Sequence, residues 1–135
     1  MRTELSNPAT APAPAGPYSQ VARLDFGDGA LLILSGQLAL DDDNAAIVGE
    51  GDIAVQAERT LEVIGAILKA HGAGFADVVN IRTYLTDMAD RAAYAQVRAR
   101  YFTGDLPTST TVAVAALFRP EALIEIEVTA VVRHR

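Results

Sequence analysis

Leu123-Ile124-Glu125-Ile126-Glu127-Val128-Thr129-Ala130-Val131-Val132 alternates apolar and polar side chains with a period of two. Successive side chains on a strand point to opposite faces. Ile124, Ile126, Val128, Ala130 and Val132 therefore share one face, and Glu125, Glu127 and Thr129 share the other. This is a strand with one face in a core, and two of its carboxylates lie on the other face. Thr108 to Ala116 reads as the strand before it, and Phe118-Arg119-Pro120-Glu121 joins the two.

Further back, Val78 to Leu85 is a strand rich in β-branched residues, with Arg82 on the same alternating set as Val78, Asn80 and Tyr84. Asp87 or Asp90 caps a helix that follows it and reaches about Phe102, with Ala93, Val97 and Tyr101 along one side. Asp52 to about Ala70 is the clearest helix. Ile53, Ala57, Leu61, Ile64 and Leu68 recur at spacings of three and four. Asp52 is its N-cap, and Gly72 and Gly74 suit its end. Tyr18 to Phe26 and Ala30 to Gly36 form a hairpin through Gly27-Asp28-Gly29. Asp41-Asp42-Asp43-Asn44 is a polar turn before the short apolar pair Ile47-Val48. Pro8, Pro12, Pro14 and Pro17 fix φ and remove donors, so residues 1–15 are expected as an extended Ala/Pro-rich arm.

The order strand, strand, helix, strand, helix, strand, strand predicts an α+β fold with two helices on one face of a mixed sheet. Ala30 to Ser35 is apolar on both alternating sets, Leu31 and Ile33, then Leu32 and Leu34. Such strands are usually covered on both sides. No third helix exists to cover the second face, so a partner subunit is expected there.

The 135 residues fit one domain, 1–135, half of them hydrophobic and 21% charged. The net charge is −6 and the eleven Lys and Arg are scattered, which argues against nucleic acid. Cysteine is absent, so disulfides and thiolate chemistry are excluded. No apolar run reaches membrane length and no signal peptide is recognisable, so a cytoplasmic protein is expected, without a membrane partner. His71 and His134 have no ligand-spaced partner, and no metal site is expected. His71 falls at a helix end, where the dipole tolerates a cation.

Five separated stretches carry a resemblance. They are Gly16-Pro17-Tyr18-Ser19-Gln20, Ser35-Gly36-Gln37, Gly51-Asp52-Ile53 with Gln56-Ala57, Tyr84-Leu85-Thr86-Asp87-Met88, and Pro107 with Glu125-Ile126-Glu127. In this order, from about Ala11 to Val132, they resemble the Rid (reactive intermediate deaminase, YjgF-like) family. The resemblance implies a chorismate-mutase-like fold and a homotrimer, with a small-molecule ligand in each cleft between neighbours. It implies hydrolysis of reactive imines or enamines to a 2-keto acid and ammonia, with no metal or organic cofactor. It also implies an arginine two residues after Pro107, which grips the substrate carboxylate. That position is Ser109, in the run Pro107-Thr108-Ser109-Thr110-Thr111, and a family asparagine falls on Ala95. A charge-assisted bidentate pair contributes about 2–3 kcal/mol in a dry pocket. Its loss costs about a hundredfold in carboxylate binding.

The resemblance makes Glu125 the expected catalytic carboxylate, positioning or deprotonating the water that attacks a C=N carbon. An edge glutamate paired with an arginine is the plainer reading, and it is the one taken for Glu127. Tyr18 is expected as a wall or lid of the site. Ser35 and Gly36 are expected beside the ligand, with Gly36 allowing close backbone approach. Ser109 and Thr111, on one face, are expected to hydrogen-bond a neutral ligand. Arg82 is expected as a relocated carboxylate anchor, against an ordinary ion-pair role. Three functions compete: a C–N hydrolase without the archetypal 2-iminoacid activity, a non-catalytic metabolite-binding trimer, and a ribonuclease-like inhibitor of translation. Acidic charge and the lack of paired histidines count against the third.

Overall fold

The computed structural model describes residues 1–134. Its sheet has six strands: β1 (Arg2–Ser6), β2 (Val21–Phe26), β3 (Gly29–Leu34), β4 (Val78–Leu85), β5 (Thr108–Ala113) and β6 (Ile124–Arg133). They run in the order β1-β2-β3-β6-β4-β5. Only β4 and β5 pair in parallel. Helices α1 (Ile53–Ala70) and α2 (Arg91–Ala99) lie on one face, which gives the α+β architecture expected.

α1 starts where Asp52 accepts a hydrogen bond from the Val55 N–H. It ends in a Schellman motif: Gly72 N–H donates to Lys69 O and Ala73 N–H to Leu68 O, with Gly72 at φ +73°. Its buried face, including Leu61, Ile64, Ile67 and Leu68, packs with Leu32, Ile81, Leu85, Ile124 and Ile126 in one core. Burying each such side chain contributes about 1.5–3 kcal/mol. β6 alternates as its sequence dictates: Ile124, Ile126, Val128, Ala130 and Val132 are buried, and Glu125, Glu127 and Thr129 are half-buried on the far side.

Four expectations change. Residues 2–6 form edge strand β1 instead of belonging to a free arm. Beyond Pro8 the chain turns and packs down. Prolines cannot pair in a ladder, but the carbonyls in this stretch still accept. Gln20 Nε2 donates to Pro12 O at 2.6 Å, and Asn44 Nδ2 donates to Ala13 O. A register shift between Val78 and Asn80 puts Val78 on the helix side, away from Asn80, Arg82 and Tyr84. The buried stripe of the second helical segment runs through Tyr94 and Val97 to Phe102, because the Tyr94 hydroxyl meets Thr83 Oγ1 at 2.6 Å beneath the helix. Finally, burial and the nearby charge of Arg23 lower the pKa of His71. Arg23 is the cation at this helix end and donates to His71 O at 3.1 Å.

Among the described residues, no layer covers the sheet face away from the helices. Leu24, Leu31, Ile33 and Val131 lie there, with Ile33 41% and Val131 37% exposed. No helix among the described residues is long and apolar enough to cross a membrane.

Candidate functional site

Glu125 rises from β6 on the helix-free face, opposite Tyr84 of β4. The chain just after β3 runs beside it. Gln37 N–H donates to Ile126 O at 2.8 Å, and Ile126 N–H donates back to Gln37 O at 3.0 Å. This bridge brings Gly36 under the Glu125 side chain. A Cβ on Gly36 would stand 2.5 Å from Glu125 Oε2 and 2.8 Å from its Cδ. Glycine at 36 leaves this space to the carboxylate, and a side chain there would push Glu125 aside.

Ser35 anchors the same corner. Its hydroxyl donates to Ser19 O at 2.7 Å, and its N–H donates to Gln20 O at 2.8 Å. Ser35 thereby holds the segment that carries Tyr18. Tyr18, 45% exposed, lines a cavity of about 50 Å³ with Gly36, Gln37, Phe118 and Glu125. That volume has room for a water beside the carboxylate.

Two carboxylates on one face have been driven apart. Burial, and secondarily the charge of Glu127, raises the pKa of Glu125. Burial also pushes Glu127 upward, but hydrogen bonds from Arg82 and Tyr84, with the Arg82 charge, bring it below the ordinary range. Arg82 Nε meets Glu127 Oε1 at 2.7 Å, and Tyr84 Oη donates to the same oxygen. Divergent pKa values on neighbouring carboxylates are the signature of an acid–base pair of roles. Here Glu127 is held toward its ionised form, and Glu125 is the carboxyl that takes up a proton more readily than an ordinary glutamate.

A pH dependence follows. Replacing Glu127 by Gln removes the like charge that holds Glu125 up and leaves the Arg82 cation unpaired nearby. Both changes favour the Glu125 anion, so the acid limb of any rate carried by Glu125 moves to lower pH. A pH–rate profile of the Glu127→Gln variant reads this directly, and an upward shift contradicts it.

Ser109 and Thr111 lie elsewhere. In register with Ile81 and Thr83, they face the helix side of the sheet. They line a larger cavity, about 480 Å³, with Tyr94, Ala95, Arg98 and Phe102. Within one chain the expected site residues thus form two groups. Tyr18, Ser35, Gly36 and Glu125 gather at one corner, with Arg82 further along the same sheet face. Ser109 and Thr111 belong to the opposite face.

Sequence reading passed over Gln37, Phe118 and Arg98. The helical spacing of Tyr94 and Arg98, four apart, is the signal that could have found the last. His71 and His134, 63 positions apart in sequence, stand at the two ends of an Arg23–Asp25 ion pair. Arg23 Nη1 is 3.4 Å from His71 Nδ1, and His134 Nε2 is 3.5 Å from Asp25 Oδ1. Among the described residues no three His, Cys, Asp or Glu side chains converge as a metal site.

The family model described as Endoribonuclease L-PSP matches residues 8–132. Protein DfrA of Myxococcus xanthus is 43% identical over 121 residues, covering 90% of this chain and 89% of that protein. A 2-iminobutanoate/2-iminopropanoate deaminase of Mus musculus is 38% identical over 121 residues, covering 90% and 85%. Among solved structures, the Rid-family protein YyfA of Yersinia pestis superposes with a TM-score of 0.84 at 32% identity, covering 96% of this chain and 98% of that one.

Proposed function

Because this chain belongs to the Endoribonuclease L-PSP family, which includes the Rid, YjgF and RutC proteins, we propose that it hydrolyses the C=N bond of a small imine or its enamine tautomer. The observation that carries the reading is the Glu125 carboxylate, lodged over Gly36 and beside Tyr18, with its pKa raised next to a neighbour held ionised.

In this scheme a water beside Glu125 adds to the imine carbon. Glu125 accepts the proton the water loses and returns it to nitrogen, and the carbinolamine collapses to a carbonyl and ammonia. Atoms balance with one water consumed and no change of oxidation state. A carboxyl whose pKa is raised above the ordinary glutamate value is a stronger base for the first proton transfer and still returns the proton in the second. Tyr18 walls the site and restricts bulk water.

The complete cleft is assembled between copies, three around one axis. The uncovered apolar sheet face supports this assembly, and so does the split of the site residues into two groups on opposite faces. A second reading, a trimer that binds a metabolite without turning it over, is favoured by Ser109 at the position where the family resemblance implies an arginine. Either protein would work in a reducing cytoplasm without needing a thiol.

The test is direct. Purified protein is mixed with freshly generated 2-iminobutanoate, and 2-oxobutanoate release is followed by a coupled assay. Release faster than in buffer, from a species whose light-scattering mass is three times that of the chain, is the expected result. A trimer with no acceleration leaves the binding reading; a stable monomer removes both.

A further inference from the structure

The larger cavity, beside α2, contains a feature that the loss of an arginine at position 109 does not explain. Arg98, on the last turn of α2, turns its guanidinium toward the sheet and donates from Nη1 to Ser109 Oγ at 2.8 Å. Its guanidinium carbon stands 6.0 Å from the centre of the Tyr94 ring and 5.7 Å from that of Phe102. Cation–π contacts at these distances hold a guanidinium in place without neutralising it. Arg91 lines the same cavity. Among the described residues no carboxylate forms an ion pair with either arginine, although the chain carries a net charge of −6. The cavity wall therefore presents cations, hydroxyls and aromatic rings, and no acid.

Arg82, the other candidate cation, is differently placed. It lies on the opposite sheet face, where Glu127 neutralises it and Tyr84 Oη, donating to the same Glu127 oxygen, holds that carboxylate in place.

We infer that Arg98 is the anion anchor of this protein: it binds the carboxylate of a small ligand from α2, and Ser109 orients its guanidinium from β5. A serine at 109 is then a working part of the arrangement. Its short side chain leaves the floor of the cavity open, and its oxygen fixes one edge of the fork. A guanidinium has five N–H donors, so the contact to Ser109 leaves a pair free for a carboxylate. Ligands of this pocket are small monocarboxylates with an apolar tail against the exposed Ala95, Ala99 and Leu106. This deepens the hydrolase reading by naming the residue that holds the carboxylate of such an imine, and to that extent rests on it. The binding claim itself stands on the cavity.

The experiment measures binding, not turnover. Calorimetric titrations of the full chain use 2-oxobutanoate and its neutral isostere 2-oxobutanamide. The wild-type protein is expected to prefer the carboxylate by about tenfold or more. Arg98→Met should erase the preference, Arg98→Lys should restore part of it as a point charge without a fork, and Arg82→Met should keep it whole. Arg98→Lys also guards against a folding defect in the methionine variant, since it keeps the cation and the stem. Equal affinity for both probes, no binding of either by wild type, or a preference that survives Arg98→Met overturns the inference. The two readings fail separately. A wild-type protein inert toward 2-iminobutanoate that still shows the Arg98-dependent preference refutes hydrolysis alone. Unchanged imine hydrolysis in the Arg98→Met variant refutes the anchor alone.

Discussion

Glu125→Gln is expected to slow imine hydrolysis by about a hundredfold to ten-thousandfold, the usual contribution of a positioned general base. The glutamine keeps the shape of the side chain, so it still fits over Gly36. It loses only the ability to take a proton. Oligomer mass and ligand affinity should therefore stay as they were while kcat falls. The variant should also melt at a higher temperature at pH 7. A carboxyl whose folded pKa is raised destabilises the native state above its unfolded pKa, because folding then buries the charged form. The neutral amide removes that penalty. A rate within threefold of wild type would sink the assignment. A fall in melting temperature would show that the carboxylate serves the structure.

The largest stability effect is expected from Gln56→Leu, at about 3 kcal/mol or more, read as a lower urea midpoint with an unchanged m value. Gln56 is fully buried on α1 and satisfies three backbone groups at once. Its Nε2 donates to Gly49 O at 3.1 Å and to Glu121 O at 3.0 Å, and its Oε1 accepts from Leu123 N–H at 2.8 Å. Leucine fills the volume but meets none of them, and each orphaned buried polar group costs about 1–3 kcal/mol. The consequence reaches the site, because Leu123 immediately precedes β6 and sets the line on which Glu125 stands two residues later. Loss of this clasp should lower the rate even where the protein remains folded. A midpoint shift equivalent to less than 1 kcal/mol would mean that water replaces the lost partners.

The elements that the sequence made legible share a property. α1, β6 and, from Asn80 onward, β4 each bury one clean face, so their apolar residues keep a regular period that can be read without knowing what they touch. Two failures share the opposite property. β1 is an edge strand of mostly exposed, mixed residues, and nothing in Arg2–Ser6 marks it as paired until β2 is beside it. The irregularity at Val79 inverts the face of Val78 relative to Arg82, and period-two reasoning passes over a single unpaired residue. Tyr94 is absent from the apolar side read along Ala93, Val97 and Tyr101, because its burial depends on a hydroxyl partner, Thr83, on another element.

The candidate site divides along the same line. Glu125 and Gly36 are carried by short motifs, and those motifs named them. That Gly36 lies under Glu125, that Ser35 holds the Tyr18 segment, and that Arg82 belongs to Glu127 while Arg98 belongs to Ser109 are matters of which strands and helices come together. From its order of residues alone, this protein's layers and its family likeness were determined, because periodicity and motif are local properties of a chain. The pairing of its charges, and the distribution of its site over two opposite faces, were decided only in three dimensions. Electrostatic partnership depends on distances of a few ångströms between residues far apart in sequence, and local order does not encode such distances.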